Sequence, residues 1–354
     1  MPGGYAAETT HRPTMNALQN KPFHQPWHRL TRLAILAASL LMVAFSPICT
    51  RAQSLTLVEL NCENLFDTAH DSLKQDQEYL PESTRRWTRS RYWRKLNNLA
   101  QALLSTRSEA IPDLVALCEV ENDTVMRDLC RRSLLRGANY EYVVTHSPDL
   151  RGIDVALLYS PFSFALISSY ALRVTPCHSQ MRPTRDILYA CGRTVDGDTL
   201  HVLVVHAPSR YGGERHSRPF RSCVASRLGQ ALDSIHALHP GARIVVAGDF
   251  NDYGKAYMIR QIEQHGVRDI VPAVKGDSSV KGTYRYQGEW SQLDHVLVSP
   301  YIYNKVYEAF VHAPDFLLEE EKKYGGVRPR RTYNGYTYQP GYSDHLPMVV
   351  SWHL

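Results

Sequence analysis

Carboxylate, amide and histidine side chains stand at the ends of apolar runs in this 354-residue chain. Asp249 ends an apolar run that begins at Ile244, and Asn251 follows it two residues later. Asp344 and His345 lie together in a second such segment. Because a buried strand is rigid and its end faces a cleft, enzymes often place charged groups there. The pattern therefore indicates an active site that is built from strand ends.

Three more strand-like runs end in a polar residue, and a fourth opens with one. They are 55–60 before Asn61, 114–118 before Glu119, 201–205 before His206, and the run that Asp294 opens. Hard divalent cations bind carboxylate and amide oxygens, so Asn61, Glu119 and Asp344 are the predicted metal ligands. Mg²⁺ is the predicted cation, with Mn²⁺ and Ca²⁺ as alternatives, since all three accept these oxygens.

The remaining polar residues are of the types that cleave a phosphate ester. That reaction requires a base for water, an acid for the leaving oxygen and donors for the developing charge. The groups predicted for these tasks are His206, Asp249, Asn251, Asp294 and His345. A histidine beside a carboxylate acts as acid or base near neutral pH, so the two roles of His206 and His345 stay open. A lone strand-end aspartate is also a common turn residue, and the prediction therefore depends on the whole set.

Arginines and further histidines allow two interpretations each. Arg151 precedes a strand-like run, where a turn residue would also stand. Arg210 opens a basic cluster that either contacts substrate phosphate or forms the solvated start of a helix. Three histidines have no comparable neighbours and are predicted to be structural or surface residues: His201, His295 and His312.

The first 52 residues have the composition of a secretory signal with a polar extension. Residues 1–32 are polar and partly basic, residues 33–45 are apolar, and residues 50–52 resemble a cleavage site. The apolar run is short for a membrane span, although an uncleaved anchor is the alternative. The sequence therefore predicts an exported protein, periplasmic or secreted, whose single domain covers residues 53–354 and begins at Gln53 after cleavage near Ala52.

Without that segment the chain is almost neutral. Residues 1–52 hold five of the 40 Lys and Arg and one of the 35 Asp and Glu, so the net charge falls from +5 to +1. A nearly neutral protein has no broad positive field that would draw it to nucleic acid. This composition weakens the case for a nuclease.

Six cysteines remain in the predicted mature chain, an even number that permits disulfides in an exported protein. Cys177 and Cys191 flank a polar stretch rich in turn formers and are the predicted bridge. Cys62 and Cys118 lie at matching strand ends, where they are either a neighbouring pair or two small buried residues. No spacing of cysteine and histidine indicates zinc.

Helical periodicity and strand-like runs follow each other along the chain without a repeat or a linker. The predicted helices cover about 87–104, 123–135 and 218–236, and the predicted strands 55–60, 114–118, 140–145, 153–159, 164–174, 200–206, 244–247, 283–286, 293–298 and 348–352. Such a mixture predicts one α+β domain in which two sheets pack together with helices outside. Residues 322–338 are predicted to form a mobile loop near the site.

The order of the polar segments resembles that of the endonuclease/exonuclease/phosphatase superfamily, which includes deoxyribonuclease I, abasic-site endonucleases, neutral sphingomyelinases and inositol-polyphosphate 5-phosphatases. The seven matching segments are 61–67, 118–122, 151–159, 206–210, 248–251, 293–296 and 343–347. The resemblance covers residues 55–354 and implies a deoxyribonuclease I-like, four-layer α/β/β/α sandwich of two mostly antiparallel sheets. Residues 209–214 are similar to a segment of exported bacterial members.

The resemblance also implies roles for the metal site and for the nucleophile. Asn61 and Glu119 match the amide and the carboxylate that bind metal, and Asp344 matches the acid on the metal side. Asp249 and Asn251 match the pair that orients water and holds the scissile phosphate.

The same resemblance implies an acid–base pair and a phosphate contact. Asp294 and His345 match the superfamily's Asp–His pair. His206 matches the second histidine of the deoxyribonuclease and sphingomyelinase branches, and Arg151 stands where a phosphate contact is expected.

Three functions are consistent with these features. The first is an exported, metal-dependent phosphodiesterase that cleaves nucleic acid, with basic and aromatic residues of 284–290 and 328–338 against the strand. The second is a lipid or small-molecule phosphoesterase of the sphingomyelinase or inositol-phosphatase type, which the near-neutral charge fits equally well. The third is a catalytically silent binding module, which would require a lost catalytic residue, yet every matched position is present. No stable protein partner is implied.

Overall fold

The computed structural model describes residues 53–108 and 110–354, so the predicted signal segment lies outside the described residues. The helices in these ranges are α1 (Arg89–Leu104), α2 (Asp123–Arg132), α3 (Glu214–Leu238), α4 (Tyr257–Glu263) and α5 (Pro300–Tyr303). None of the helices within the described residues is long and apolar enough to cross a membrane.

Nineteen strands accompany these helices in the described part of the chain. In chain order they are β1 (Ser54–Leu65), β2 (Leu114–Val120), β3 (Glu141–Val144), β4 (Asp154–Tyr159), β5 (Phe164–Leu172), β6 (Ile187–Thr194), β7 (Thr199–His206), β8 (Arg243–Asp249), β9 (Arg268–Asp269), β10 (Ala273–Gly276), β11 (Tyr284–Tyr286), β12 (Glu289–Ser291), β13 (Asp294–Val298), β14 (Val306–Ala313), β15 (Leu318–Glu320), β16 (Val327–Pro329), β17 (Tyr333–Asn334), β18 (Thr337–Tyr338) and β19 (Met348–His353).

Two large sheets form the centre of the fold. The first has seven strands in the order β10-β14-β19-β1-β2-β4-β3, and the second has six in the order β5-β6-β7-β8-β13-β9. Most neighbours are antiparallel, whereas β1 with β2, β7 with β8, and β10 with β14 run parallel. The chain's first strand therefore lies in the middle of its sheet, beside its last strand.

The two-residue periodicity of the strands explains the layers. Along β1, Leu55 and Leu57 face the second sheet, whereas Val58 and Leu60 face helices α1 and α2. On the far side of the second sheet, α3 and α4 cover residues such as Val246. Helices, sheet, sheet and helices thus form four layers, and the predicted α+β sandwich is confirmed.

Bulges near the ends of β1 and β2 change the direction of the polar side chains there. Asn61 pairs with Cys118 in the parallel register, but the next pair is Leu65 with Val120. Glu119 lies at the bulge of β2 with a φ of +61°. At the bulge of β1, Glu63 and Asn64 also have positive φ. Left-handed non-glycine residues cost of order 1–3 kcal/mol and collect at functional sites. The two bulges bring Asn61 and Glu119 to the same end of the sheet.

Several sequence predictions of local structure were wrong. Strand β6 occupies part of the stretch that was predicted to be a polar turn region, and strand β14 was not predicted at all. Helix α3 begins at Glu214, earlier than the predicted residue 218. Residues 322–338 contain β16, β17 and β18, so this segment forms short ribbons rather than an irregular loop.

The predicted disulfide was also wrong. Cys177 bonds to Cys223 on α3, and Cys191 is free because it lies inside β6, paired with β5 and β7. Cys62 and Cys118 are both free and buried. Cys62 packs toward the helices and Cys118 toward the second sheet, so the two thiols lie on opposite faces of the first sheet.

Candidate active site

Strand ends of both sheets converge at one end of the sandwich. Asn61 and Glu119 come from the bulged ends of β1 and β2. In the second sheet, His206 at the end of β7 is the register partner of Asp249 at the end of β8. Asp294 opens β13 directly opposite Asp249 on its other side. The pairing of the strands alone therefore brings these residues together.

Asp249 is the centre of the cluster. Its Oδ2 accepts hydrogen bonds from Asn61 Nδ2 at 3.0 Å and from Asn251 Nδ2 at 3.2 Å, and its Oδ1 accepts the backbone N–H of Asn251 at 2.8 Å. His206 Nε2 and His345 Nε2 lie 3.7 and 4.0 Å from the same Oδ2. Two amides thus fix the carboxylate between two imidazoles.

His345 and Asp294 form a buried pair. The Nδ1 atom of His345 lies 2.7 Å from Asp294 Oδ2, and the ring of Tyr284 packs on the imidazole with centroids 4.8 Å apart. Burial alone would lower the pKa of His345, but the charges of Asp294 and Asp249 outweigh it and raise the pKa to about 10. His345 is therefore a cation at neutral pH, with Nδ1–H donating to Asp294.

His206 has the opposite protonation state. Its side chain is buried, which lowers its pKa well below the ordinary value, and the charges of Arg185 and Arg151 lower it further. The neutral imidazole presents Nε2 to Asp249, and its Nδ1 has no hydrogen-bond partner within the described residues. The site thus places a cationic and a neutral histidine around one carboxylate.

Asp249 itself has the pKa expected of a general base. Burial raises the pKa of Asp249 from 3.8 to about 7, and the charge of Asp294 contributes in the same direction. A carboxylate with such a pKa accepts a proton near neutral pH.

Glu59 is a member of this cluster that the sequence analysis missed. It is fully buried on the inward face of β1, close to Asp294 and Asp249, and burial raises its pKa well above the ordinary value. Its only sequence signal is an acid inside the run Leu-Thr-Leu-Val-Glu-Leu, at an inward position two residues before Asn61. A charged residue at such a position indicates either a partner or a neutral state.

Asn61 and Glu119 provide oxygen donors that suit a hard divalent cation. Glu119 Oε2 accepts the backbone N–H of Asn64 at 2.8 Å, whereas Oε1 is 3.8 Å from Arg151 and 3.9 Å from His206. Oε1 therefore has no partner at hydrogen-bond distance. Asn61 Oδ1 accepts one backbone N–H, which leaves it a second lone pair. The residues present fit a divalent metal ion.

A second group of possible ligands overlaps with the acid–base cluster. Asp249, Asp294 and His345 offer ligand atoms within 4.8 Å of one another. Asp294 and His345 already bond to each other, so using them for metal would break that pair. The pair Asn61 and Glu119 therefore remains the better metal candidate on donor chemistry.

Asp344, the third predicted ligand, is held by an arginine. Its Oδ2 lies 2.5 Å from Arg331 Nη2, and the Nε of Arg331 is 3.7 Å from Glu63 Oε1. Burial would raise the pKa of Asp344, but the Arg331 charge outweighs it and lowers the pKa. The carboxylate of Asp344 is therefore paired with Arg331 in the structure.

The two predicted phosphate-binding arginines differ in position. Arg151 is half exposed, donates to Asn64 Oδ1 at 2.5 Å and stands at the rim beside Glu119. Arg210 is turned away, with Glu214 at 3.2 Å, Asp252 at 3.6 Å and Tyr253 beneath its guanidinium. Only Arg151 is placed next to the cluster.

Three histidines that were predicted to be structural or surface residues lie apart from this geometry. His295 is buried, with Nδ1 3.0 Å from Asp269 and Nε2 3.0 Å from the backbone oxygen of Asp252. Both of its nitrogens are therefore occupied. His201 contacts Tyr189, and His312 contacts Ser105.

Comparison with known proteins places this chain in one family. The model of the Endonuclease/Exonuclease/phosphatase family matches residues 56–353. Among curated proteins no match was found.

Solved structures show the same fold at low identity. A Bacteroides thetaiotaomicron endonuclease/exonuclease/phosphatase family protein is 16% identical with a TM-score of 0.56, over 84% of this chain and 97% of that one. The mannosyl-6-phosphatase of the same organism is 16% identical with a TM-score of 0.55, over 84% and 98%. Truncated TDP2 from Caenorhabditis elegans is 16% identical with a TM-score of 0.52, over 85% and 98%.

Proposed function

The chain belongs to the endonuclease/exonuclease/phosphatase family of divalent-metal-dependent phosphoester hydrolases, and on that premise we propose that it is a Mg²⁺-dependent phosphodiesterase acting on nucleic acid. One observation supports this proposal above the others. A carboxylate with a raised pKa, Asp249, lies between a cationic and a neutral histidine, beside two oxygen ligands for a metal ion.

The proposed mechanism assigns a proton to each of these groups. Asp249 takes a proton from the attacking water, while Asn61 and Asn251 hold its carboxylate in place. His345 is already protonated and donates a hydrogen bond from Nε2 to the phosphate or its leaving oxygen, and Asp294 keeps the ring in that orientation. His206 is neutral and donates its one N–H toward a phosphate oxygen. In this proposal His345 is the cationic donor and His206 the neutral one.

The metal ion has a separate task. Glu119 and Asn61 would hold the ion, which would polarise a phosphoryl oxygen and neutralise developing charge. Arg151 stands beside Glu119 and contacts the same phosphate from the rim.

Exposed aromatic residues support a nucleic-acid substrate. Tyr286 and Tyr336 are exposed on the segments that were predicted to lie against a strand, and unstacked bases pack well on such rings. Two of the neighbouring arginines have partners already: Arg285 donates to backbone oxygens, and Arg328 pairs with two glutamates. Base stacking on these rings is therefore the contact that we propose for this side of the site.

A small-molecule phosphoesterase is the second candidate. One of the structural neighbours is named a mannosyl-6-phosphatase, and the net charge of +1 predicted for residues 53–354 does not attract a polyanion.

An assay of the purified protein separates the candidates. DNA, RNA, sphingomyelin, inositol phosphates and mannose 6-phosphate are tested with EDTA and after addition of Mg²⁺, Mn²⁺ or Ca²⁺. We expect metal-dependent cleavage of DNA or RNA with Mg²⁺. Hydrolysis of the monoesters alone would replace the first candidate by the second, and activity that survives EDTA would contradict both.

We also propose that the protein is exported and begins at Gln53. The support is the basic, apolar and small-residue order of residues 1–52. N-terminal sequencing of the protein recovered from the cell exterior tests this proposal. Recovery of the intact N-terminus in the membrane fraction would contradict it.

A further inference from the structure

A cavity of about 450 Å³ opens next to Arg151 and to the segment that follows His206. Its size is within the range of small-molecule pockets, roughly 300–1,000 Å³. Four loops and the first turns of α3 line it, and the loops contribute Gln75, residues 149–151, residues 180–185, and Pro208, Ser209 and Tyr211. Pro208 and Ser209 follow His206 almost directly, so the cavity continues the active site on the histidine side.

Two internal links fix the walls of this cavity. The disulfide between Cys177 and Cys223 ties the loop that carries residues 180–185 to helix α3. Beneath it, Arg185 donates to Asp149 Oδ2 at 3.1 Å and to the backbone oxygen of Ala207 at 2.8 Å. Asn251 donates to the same oxygen of Ala207, so one atom joins the cavity floor to the Asp249 cluster.

The lining combines aromatic rings with cations. Tyr211 is 90% exposed at the mouth, and Phe220 lies on α3 with the rings of His178 and His216 packed against its edge. Arg151 connects the cavity to the metal-site candidate, because its guanidinium is 3.8 Å from Glu119. A ligand would therefore meet a positive group near the active site and a ring surface farther away.

Two polar atoms in the wall have no partner within the described residues. They are Oγ1 of Thr184, a residue that is 3% exposed, and Nε of Arg185, a residue that is 8% exposed. Buried polar groups are ordinarily hydrogen-bonded, since an unpaired one costs about 1–3 kcal/mol. Both atoms have almost no accessible surface, so a ligand meets instead the exposed polar side chains of the wall, Gln180 and Arg182.

We propose that this cavity binds the nucleoside that is attached to the scissile phosphate, with the base against Tyr211 and Phe220 and its polar edge toward Gln180 and Arg182. The proposal rests on the proposed function, because the phosphate must then lie at Arg151 and Glu119. A base has both features that suit this wall, a flat apolar face and a hydrogen-bonding edge. A lipid chain would not use the polar side chains of the wall, and a sugar phosphate would not use the rings.

Binding without turnover provides the test. Isothermal titration calorimetry with Mg²⁺ compares adenosine 3′- and 5′-monophosphate with ribose 5-phosphate, which lacks the base. We expect one of the nucleotides to bind at least about tenfold more tightly than ribose 5-phosphate, the gain that one stacked base provides. Equal affinities for all three ligands would overturn the proposal.

Substitutions in the cavity wall test whether the base binds in this cavity. Tyr211→Ala should reduce nucleotide affinity by about tenfold, and Gln180→Ala by several-fold, while ribose 5-phosphate binds as before. Phe162→Ala is the matched control, because Phe162 is 80% exposed on the β4–β5 connection, at the end of β4 away from the site. Nucleotide affinities that stay unchanged in Tyr211→Ala, or that fall as much in the control, would contradict the assignment.

Hydrolysis of bis(p-nitrophenyl) phosphate separates this inference from the proposed function. Hydrolysis by the wild type without any preference for the nucleotides would overturn the cavity assignment alone. Nucleotide-specific binding without hydrolysis of any diester would overturn the proposed function alone.

Discussion

Glu59 lies buried between the two sheets, close enough to Asp294 for the two carboxyl groups to interact. Both oxygens of Glu59 and the Oδ1 atom of Asp294 have no hydrogen-bond partner in the described part of the chain. Burial raises the pKa of Glu59 well above its ordinary value, and the charges of Asp294 and Asp249 add to this effect. The folded protein therefore favours the protonated form of Glu59, while Asp294 Oδ2 binds His345.

Glu59→Gln should stabilise the protein at neutral pH. In the unfolded chain Glu59 loses its proton near its ordinary pKa of 4.5, whereas the folded chain keeps it, so the wild type loses stability as pH rises above that value. Glutamine has no proton to lose. Urea unfolding at pH 4 and pH 7 should show an advantage for Glu59→Gln that grows with pH.

Glu59→Leu serves as a second variant. It removes the buried carboxyl group altogether, so the loss of stability between pH 4 and pH 7 that is due to Glu59 should disappear, as it does in Glu59→Gln. An equal difference between wild type and Glu59→Gln at both pH values would show that Glu59 ionises in the folded protein.

The imidazole of His345 should titrate far above an ordinary histidine. Asp294 and Asp249 raise its pKa to about 10, so NMR of the ring protons should show a midpoint in that region for the metal-free protein. Because the folded pKa is raised, the charged pair contributes its full stability below about pH 6.5 and loses it as pH rises through about 10. In Asp294→Asn the midpoint should fall below the wild-type value, and an unshifted midpoint would contradict the pairing.

Asp294 and His345 should behave as one unit in catalysis. Removing a general acid–base group typically costs ~10²–10⁴-fold in kcat, so His345→Ala and Asp294→Asn should each fall in that range. The double variant should be scarcely slower than either single variant, because the second change removes a group that no longer acts. His295→Gln is the control, since both nitrogens of His295 bind core partners. If the losses in kcat of the two single variants multiply in the double variant, Asp294 and His345 act independently.

Glu119→Gln should weaken Mg²⁺ binding and leave the fold intact. The Oε1 atom of Glu119 has no close partner, so the lost charge is felt mainly by the cation. Calorimetric Mg²⁺ titration measures this effect. Glu121→Gln, just after the same strand, is the control, because Glu121 accepts the backbone N–H of Asp67 and is not part of the cluster. Equal Mg²⁺ affinities of Glu119→Gln and wild type would move the metal site elsewhere.

Loss of the Cys177–Cys223 disulfide should destabilise the protein by about 2–4 kcal/mol, because the bond closes a long loop in the unfolded chain. Cys223→Ser measured by urea unfolding tests this value. Cys191→Ser should be close to neutral, since Cys191 is free. A destabilisation of the same size in both variants would argue against the observed pairing.

The sequence predicted the strand ends of this site better than the contacts between them. Each polar residue that follows an apolar run, such as Asn61 or Asp249, lies where strand periodicity placed it, because both faces of these strands are buried. Asp344 shows what the sequence could not provide: its partner Arg331 is close in space only because the ribbons of 318–338 fold over the site.

Two further errors of the sequence analysis, on Glu59 and on the disulfide, have separate physical reasons. Glu59 was overlooked because an acid in an apolar strand is recognisable as functional only once its neighbours in the other sheet are known. The disulfide was misassigned because Cys191 is close to Cys177 in sequence, whereas packing of α3 on the second sheet brings Cys223 to it.

The position of the last strand has a consequence for biosynthesis. Strand β19 pairs with β1 in the middle of the first sheet, and Ser343 just before it donates to the backbone oxygen of Asn61 at 2.6 Å. His345 therefore reaches Asp249 only after the final strand has left the ribosome and entered a sheet whose other members were made long before. In the described part of the chain, every other proposed catalytic group is therefore made before the strand that holds His345 in place.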